Sequence, residues 1–431
     1  MRIYISGISG TGMGPLALFA HDAGYEVCGS DLSKGAIYSE LIDAGIEVFI
    51  GEQNGDYLRM KMEQGVDWFV YTSALPHDHA ELAMARKAGI KVTKRDDLTE
   101  FLVEELGLEM IAVAGTHGKT TTTSMIIWAS LEKKLPVAYV AGTTLGFARS
   151  GAYHKGDKYF VYEADEYDRN FLKYHPWLAV IPAVSYDHPD IYPSREDYAE
   201  AFRQFRSQSD GVIEIKDGEV VYSVEGEESG WKELYQPKNF QLAGKARRID
   251  AALAANAVFH IEQSEFAAKG MIVDYNCVEL QRIMNKFPGV GRRFERIADG
   301  LYSDYAHHPE EIEATMDMAL EEAKLRDKKG VVVIYQPHQN VRQHEVRDGY
   351  REAFDGAAKV FWLPTYLTRE DPELRVIEPS EFIEGLKNKE VAEVAELDEN
   401  LWTKIRAYLD EGYLVLLMTA GPADGWLRGR M

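Results

Sequence analysis

The fold turns on Met110 to Met125, MIAVAGTHGKTTTTSM. An apolar run from Met110 to Ala114 breaks into Gly115-Thr116-His117-Gly118-Lys119-Thr120, and a helix-competent segment rich in threonine follows. The order predicts a buried strand, a phosphate loop and a helix running from Lys119 to about Lys134. Two glycines let the backbone turn tightly with its N–H groups inward, and the helix that starts there adds the positive end of its dipole. In such a loop Lys119 reaches the β and γ phosphates of a nucleotide, and Thr120 offers a hydroxyl to Mg²⁺. The spacing departs from the longer G-x-x-x-x-G-K-[ST] form, because Val113 stands six residues before Lys119. A shorter G-x-x-G-K-T form remains.

Further along, Tyr159 to Tyr162 reads as a strand that delivers Glu163-Ala-Asp165-Glu166-Tyr-Asp168. Four carboxylates so close repel one another unless cations offset them, which suggests Mg²⁺; a solvated acidic turn is the plainer reading. Leu178 to Val184 is a further buried strand, and Asp187-His188 at its end could complete a metal and phosphate site. Gly211 to Val224 reads as a hairpin about Asp217-Gly218, and Asp250 to Glu262 as an alanine-rich helix.

Before the phosphate loop, strand Arg2 to Ser6 leads into Gly7-Ile-Ser-Gly10-Thr11-Gly12-Met13-Gly14, a helix, and a strand ending at Ser30 and Asp31. Asp31 lies about 20 residues past the glycines, where a dinucleotide-binding domain sets an acid on a ribose. Pro15 stands where that fingerprint wants glycine or alanine, so an ordinary tight turn stays open. Trp68 to Tyr71, ending in Thr72-Ser73-Ala74, and Ile90 to Thr93, followed by Lys94-Arg95, are further strands. The polar stretch Glu104 to Glu109 reads as a link. After the loop, Phe287 to Phe294 is a Gly/Pro stretch suited to a hinge, and strands near Leu301, at Val331 to Tyr335, Lys359 to Leu363 and Tyr413 to Met418 alternate with helices, a parallel α/β unit. Zinc at His307, His308, His338 and His344 would need spacings that match no familiar site.

A chain of 431 residues exceeds one core and implies two or three domains. No apolar run approaches the ~18 residues of a membrane span, and MRIYISG enters a strand at once, unlike a signal peptide. Cys28 and Cys277 sit in apolar settings, as reduced buried thiols do. Seventy acidic against 48 basic residues, a net charge of −22, argues against a nucleic-acid or anionic-membrane surface. These features predict a cytoplasmic protein without nucleic-acid or membrane partners; a monomer or weak homodimer is expected, though nothing in the composition fixes the oligomeric state.

The segments GISGTGMG, GSD, TSA, GTHGKTTTT, EADEYD, Asp187-His188, GVGRRFE, DYAHHPEE and QPH stand in an order that resembles the Mur ligase family over essentially the whole length. The resemblance implies an α/β chain of three domains: a Rossmann-like UDP-sugar domain at 1–107, a central P-loop ATPase domain at 108–295, and a Rossmann-like amino-acid domain at 296–431. It implies an ATP- and Mg²⁺-dependent enzyme that activates a carboxylate as an acyl phosphate and joins it to an amine, with UDP-N-acetylmuramate and L-alanine as expected substrates. Implied ATP contacts are Gly115, Thr116, His117, Gly118, Lys119, Thr120, Thr121 and Arg293. Thr120, Glu163 and His188 would hold metal; Lys119, Glu163, His188 and His307 would serve the chemistry. Gly10, Thr11, Gly12, Met13, Asp31 and Ser73 would meet the UDP sugar, and His307, His338 and Arg342 the amino acid.

The chain departs from the family pattern at Arg247-Arg248, where a His-Asn pair is usual, at Gln339, where arginine is usual, and at His79-Ala80-Glu81 in place of Asn-Pro-Glu. Alternatives are a recycling ligase that joins a preformed tripeptide to the same nucleotide sugar, a nucleotide-driven switch, and a nicotinamide dehydrogenase built on the first glycine loop.

Overall fold

The computed structural model describes residues 1–431 except 73–74, 189–190, 225–226, 229–233, 271–276 and 369, and only the backbone of 227, 228 and 277. Ser73 and the Cys277 side chain therefore lie outside the described residues. The chain forms two compact units, residues 1–240 with 249–288, and residues 241–248 with 289–431.

The first unit holds two sheets. One has five parallel strands in the order Glu47–Ile50, Glu26–Asp31, Arg2–Ser6, Trp68–Tyr71, Lys91–Lys94. Strand order reverses on either side of Arg2–Ser6, so the glycine loop that follows it opens at the topological switch point, where such sheets bind ligands. The Glu104–Glu109 stretch is not a free link: helix Arg95–Leu106 runs through its first half and strand Glu109–Val113 starts at its end. Gly107, at φ 62°, ends the helix in the left-handed conformation.

The second sheet of this unit has eight strands, with Glu109–Val113 central between parallel neighbours Leu178–Ile181 and Tyr159–Glu163. The loop after the first strand therefore lies beside the ends of the other two. Ile111 to Ala114 are fully buried, as a central parallel strand requires. Helix Lys119–Glu132 follows, buried on most sides; it keeps its polar residues satisfied partly by Ser124 Oγ donating to the Thr120 carbonyl (2.7 Å). Helix Arg195–Ser207 starts at Ser194, whose Oγ accepts from Asp197 N–H (3.1 Å), and its stripe of Tyr198, Ala201, Phe202 and Phe205 enters the core. Each of the larger buried side chains contributes about 1.5–3 kcal/mol. The alanine-rich helix is longer than its sequence period suggests, Lys245–Ala268.

The second unit carries six strands in the order Glu295–Ala298, Leu301–Asp304, Leu414–Thr419, Val331–Gln336, Ala357–Trp362, Ala392–Val394. All but the first pair are parallel. No helix among the described residues is long and apolar enough to cross a membrane.

Candidate active site

The phosphate loop is built on two left-handed or near-extended glycines and one threonine. Gly118 has φ 82°, and a Cβ there would lie 2.7 Å from Asp250 Oδ1 and 2.9 Å from Pro182 Cβ. A side chain fits neither the conformation nor the space. Thr116 pins the loop to the neighbouring strand end: its N–H donates to the Ala183 carbonyl (2.9 Å) and its hydroxyl to Ser185 O (2.6 Å). That hydroxyl in turn accepts from Ser185 N–H (2.9 Å), and the Tyr198 hydroxyl lies 2.8 Å away. With the threonine proton committed to Ser185, Tyr198 is the donor.

Lys119 opens the helix, and its Nζ donates to both oxygens of Glu166, at 2.8 and 3.0 Å. Glu166 is 1% exposed. Burial opposes both charges. Their mutual attraction outweighs it, so the lysine pKa is raised and the glutamate pKa lowered. His188 Nε2 lies 3.7 Å from Glu166 Oε1 and 3.7 Å from Asp187 Oδ2. Burial works against the imidazolium, but Glu166 and Asp187 prevail and the His188 pKa is raised. Thr120 Oγ1 donates to Glu163 Oε1 at 3.0 Å.

The acidic strand end is thus offset in part by lysines: Glu166 by Lys119, and Asp168 by Lys94 at 2.9 Å. Thr120 and Glu163 supply the oxygen donors Mg²⁺ favours. Among the described residues no three His, Cys, Asp or Glu side chains converge as a metal cage.

In the N-terminal sheet, Asp31 closes the glycine loop: its Oδ2 accepts from Ser9 N–H at 3.0 Å. Beneath it Glu81, fully buried, accepts from Tyr4 (2.6 Å), Ser6 (2.8 Å) and Ser30 (2.8 Å) hydroxyls, and from Gln53 Nε2 (3.3 Å). This network ties the first two strands together; the His79-Ala80-Glu81 segment marks the position of Glu81 in the sequence but gives no sign of its partners.

The second unit gathers its own set. The Arg293 guanidinium lies 5.0 Å from the Tyr305 ring; Tyr305 and His307 rings are 5.6 Å apart, as are those of His307 and His338. His307 Nδ1 lies 3.1 Å from the Tyr305 carbonyl and so donates there, leaving Nε2 to accept from Arg342 Nη1. Burial is the largest influence on His307 and, with Arg342 nearby, holds its pKa below the ordinary value. Behind it Tyr335 lies 3.1 Å from the His307 carbonyl and 2.8 Å from the Tyr350 hydroxyl, which donates to Gln343 Oε1 (2.7 Å).

Two departures acquire local roles. Arg248 forks onto Glu321, with Nη1 2.7 Å from Oε2 and Nη2 3.2 Å from Oε1. Gln339 takes φ 62° ahead of the helix Asn340–Val346.

A phosphate loop with its paired lysine, a hydroxyl–carboxylate couple beside it, and Rossmann-like sheets before and after it in the chain mark an ATP-dependent, amide-forming ligase. The chain belongs to the Mur ligase family: residues 2–105 match the Mur ligase family catalytic domain, 113–261 the Mur ligase middle domain, and 292–421 the Mur ligase glutamate ligase domain. It is 31% identical over 395 residues to the UDP-N-acetylmuramate–L-alanine ligase of Lactobacillus delbrueckii subsp. bulgaricus, covering 85% of this chain and 84% of that one. Against the enzyme of the same name from Lactiplantibacillus plantarum it is 32% identical over 381 residues, 83% of each. The fold matches the UDP-N-acetylmuramate-alanine ligase of Thermotoga maritima, with a TM-score of 0.73 at 22% identity over 100% of this chain and 98% of that one. It also matches a murein peptide ligase of Psychrobacter arcticus, with a TM-score of 0.58 at 21% identity and the same coverage.

Proposed function

We propose that this enzyme joins L-alanine to the carboxylate of UDP-N-acetylmuramate in the cytoplasm, in peptidoglycan precursor synthesis. The names of its relatives at 31% and 32% identity carry the substrate assignment. The Lys119–Glu166 and Thr120–Glu163 pairs beside the loop support the phosphoryl-transfer half.

In the first step a carboxylate oxygen attacks the γ phosphorus and ADP leaves. In the second the amine nitrogen attacks the acyl carbon, gives up a proton, and inorganic phosphate leaves. Lys119 offsets charge on the transferring phosphoryl group, and the loop between Gly115 and Thr121 holds the phosphates through the N–H groups other than that of Thr116, which is donated to Ala183. Mg²⁺, held by Thr120 and Glu163 with His188 toward a second ion, would supply further charge neutralisation. Arg342 pairs with the amino-acid carboxylate, aided by His307 and His338, and Arg293 is taken as an ATP contact. Residues 1–107 take the UDP sugar through Gly10 to Met13, Asp31 and Ser73; 108–295 take ATP; 296–431 take the amino acid.

An amino-acid panel with ATP, Mg²⁺ and UDP-N-acetylmuramate tests this by phosphate release. L-Alanine should give the largest kcat/KM. Turnover only with a preformed tripeptide would replace L-alanine by that acceptor, and ATP hydrolysis indifferent to every carboxylate and amine would leave a switch.

A further inference from the structure

Three segments bring one group each to the phosphoryl-transfer site. The turn after strand Tyr159–Glu163 carries Glu166, the stretch after strand Leu178–Ile181 carries His188, and the phosphate loop leads into Lys119. Tyr192, which takes no part in either chemical step, touches the first two and reaches the third. It is fully buried. Its hydroxyl donates to the Glu166 carbonyl at 2.6 Å, and its N–H donates to the His188 carbonyl at 2.9 Å. Its ring meets that of Tyr198 edge-on, with centroids 4.9 Å apart, and the Tyr198 hydroxyl is the one that donates to Thr116 in the phosphate loop.

Both held stretches run through left-handed backbone, which a side chain makes unfavourable and which persists only where neighbours fix it. His188 has φ 56°. Its carbonyl accepts from the N–H groups of Ile191 and Tyr192, both at 2.9 Å, and its own N–H donates to Asp187 Oδ1 at 2.7 Å. Just past Glu166, Asp168 and Arg169 lie at φ 55° and 57°. The Glu166 carbonyl accepts from Arg169 N–H (3.1 Å) as well as from the Tyr192 hydroxyl, and the Arg169 guanidinium lies 5.1 Å from the Tyr192 ring centre. Each strained turn is therefore fastened to the same tyrosine.

We propose that Tyr192 is a positioning residue for phosphoryl transfer: through its hydroxyl and its N–H it fixes the spacing between His188 and Glu166, and through Glu166 the place of Lys119. The inference rests on the functional reading above, which sets Lys119 on the transferring phosphoryl group and His188 toward a second metal ion. The facing atoms of Glu166 and His188, Oε1 and Nε2, stand 3.7 Å apart, longer than a hydrogen bond, so the backbone frame sets the gap between them. Phosphoryl transfer draws its rate from placement and electrostatics, and small displacements of the groups around the phosphorus are costly.

The substitution Y192F tests it, because it keeps the ring and the N–H and removes the hydroxyl alone. Its match is Y302F in the second unit, which also loses a buried tyrosine hydroxyl, one that donates to Glu322 Oε1 at 2.9 Å. Steady-state phosphate release and thermal unfolding are measured on the full chain. For Y192F, kcat should fall at least about tenfold while KM for ATP and for UDP-N-acetylmuramate stays within about twofold, and the thermal midpoint should move no further than for Y302F, which keeps its kcat. A kcat within about twofold of the unmodified chain would overturn the inference. So would a loss matched by Y302F, or one shared equally by kcat and both KM values, since either marks a general loosening of the fold. Absence of phosphate release by the unmodified chain with ATP and both substrates would instead overturn the functional reading on which the inference stands.

Discussion

Lys119 and Glu166 form a closed ion pair, with Nζ 2.8 and 3.0 Å from the two carboxylate oxygens of a glutamate that is 1% exposed. The pair holds the lysine at the start of the helix that follows the loop, and it makes the lysine a structural partner as well as the proposed ligand for phosphate. Lys119→Ala removes both roles. It should lower kcat by about 10²–10³, as loss of one charge-stabilising donor does. It should also destabilise the first unit by about 3–5 kcal/mol, because Glu166 is left buried without its cation. Steady-state phosphate release and urea unfolding measure the two effects. The double variant Lys119→Met/Glu166→Gln should recover most of the stability and none of the activity.

Thr120 and Glu163 should reveal themselves in the metal requirement. Thr120→Val removes the hydroxyl that donates to Glu163 Oε1 at 3.0 Å and leaves the side-chain volume nearly unchanged. The Mg²⁺ concentration giving half-maximal rate should rise by about 10–100-fold, with UDP binding unaffected. An unchanged magnesium titration would take Thr120 out of the metal site.

Gly118 is confined by conformation and by space. Alanine at φ 82° costs about 1–2 kcal/mol, before its Cβ meets Asp250 and Pro182. Gly118→Ala should lower the unfolding free energy by at least that much and raise the KM for ATP, since the loop must shift to admit the methyl group. Thermal unfolding and an ATP titration check both.

His307 sets a pH dependence in the second unit. Its folded pKa lies below the ordinary histidine value of about 6.5. Between those two values the unfolded chain binds more protons, so stability rises with pH there. The contribution is fully present above about pH 6.5 and is lost as pH falls through the folded value. Urea midpoints at about pH 7.5 and 5 should fall further for the unmodified chain than for His307→Gln. Equal falls would contradict a buried neutral imidazole.

Much of this was legible from residue order. The strand, loop and helix at Met110 to Glu132 follow from an apolar run, two glycines and Lys-Thr, and the structure has strand Glu109–Val113 and helix Lys119–Glu132. Local pattern sufficed because a parallel central strand is apolar throughout and a phosphate loop needs its glycines. The stretch from Glu104 to Glu109 misled because an acidic last helical turn, Glu104-Glu105-Leu106, looks like a linker until Gly107 is seen as its cap. The acidic run at 163 to 168 was readable as charge needing an offset. Which cation serves which carboxylate was not, because Lys94 and Asp168 are 74 residues apart in the chain and Lys119 and Glu166 are 47 apart. Glu81 illustrates the same limit: one glutamate amid helix residues gives no sign that four side chains from distant segments will converge on it. Glu81→Leu should be among the most destabilising changes in the N-terminal sheet, about 3 kcal/mol or more by urea unfolding, since the Tyr4, Ser6 and Ser30 hydroxyls would lose their acceptor.

The central claim is that the γ phosphate held at Lys119 activates a carboxylate before any amide forms. The direct measurement is oxygen transfer: UDP-N-acetylmuramate labelled with ¹⁸O in its carboxylate is turned over with ATP, Mg²⁺ and L-alanine, and the released phosphate is analysed by mass. An acyl phosphate predicts that each phosphate carries a single oxygen from the carboxylate. Phosphate that draws its new oxygen from water, with the label left in the sugar nucleotide, would contradict the account.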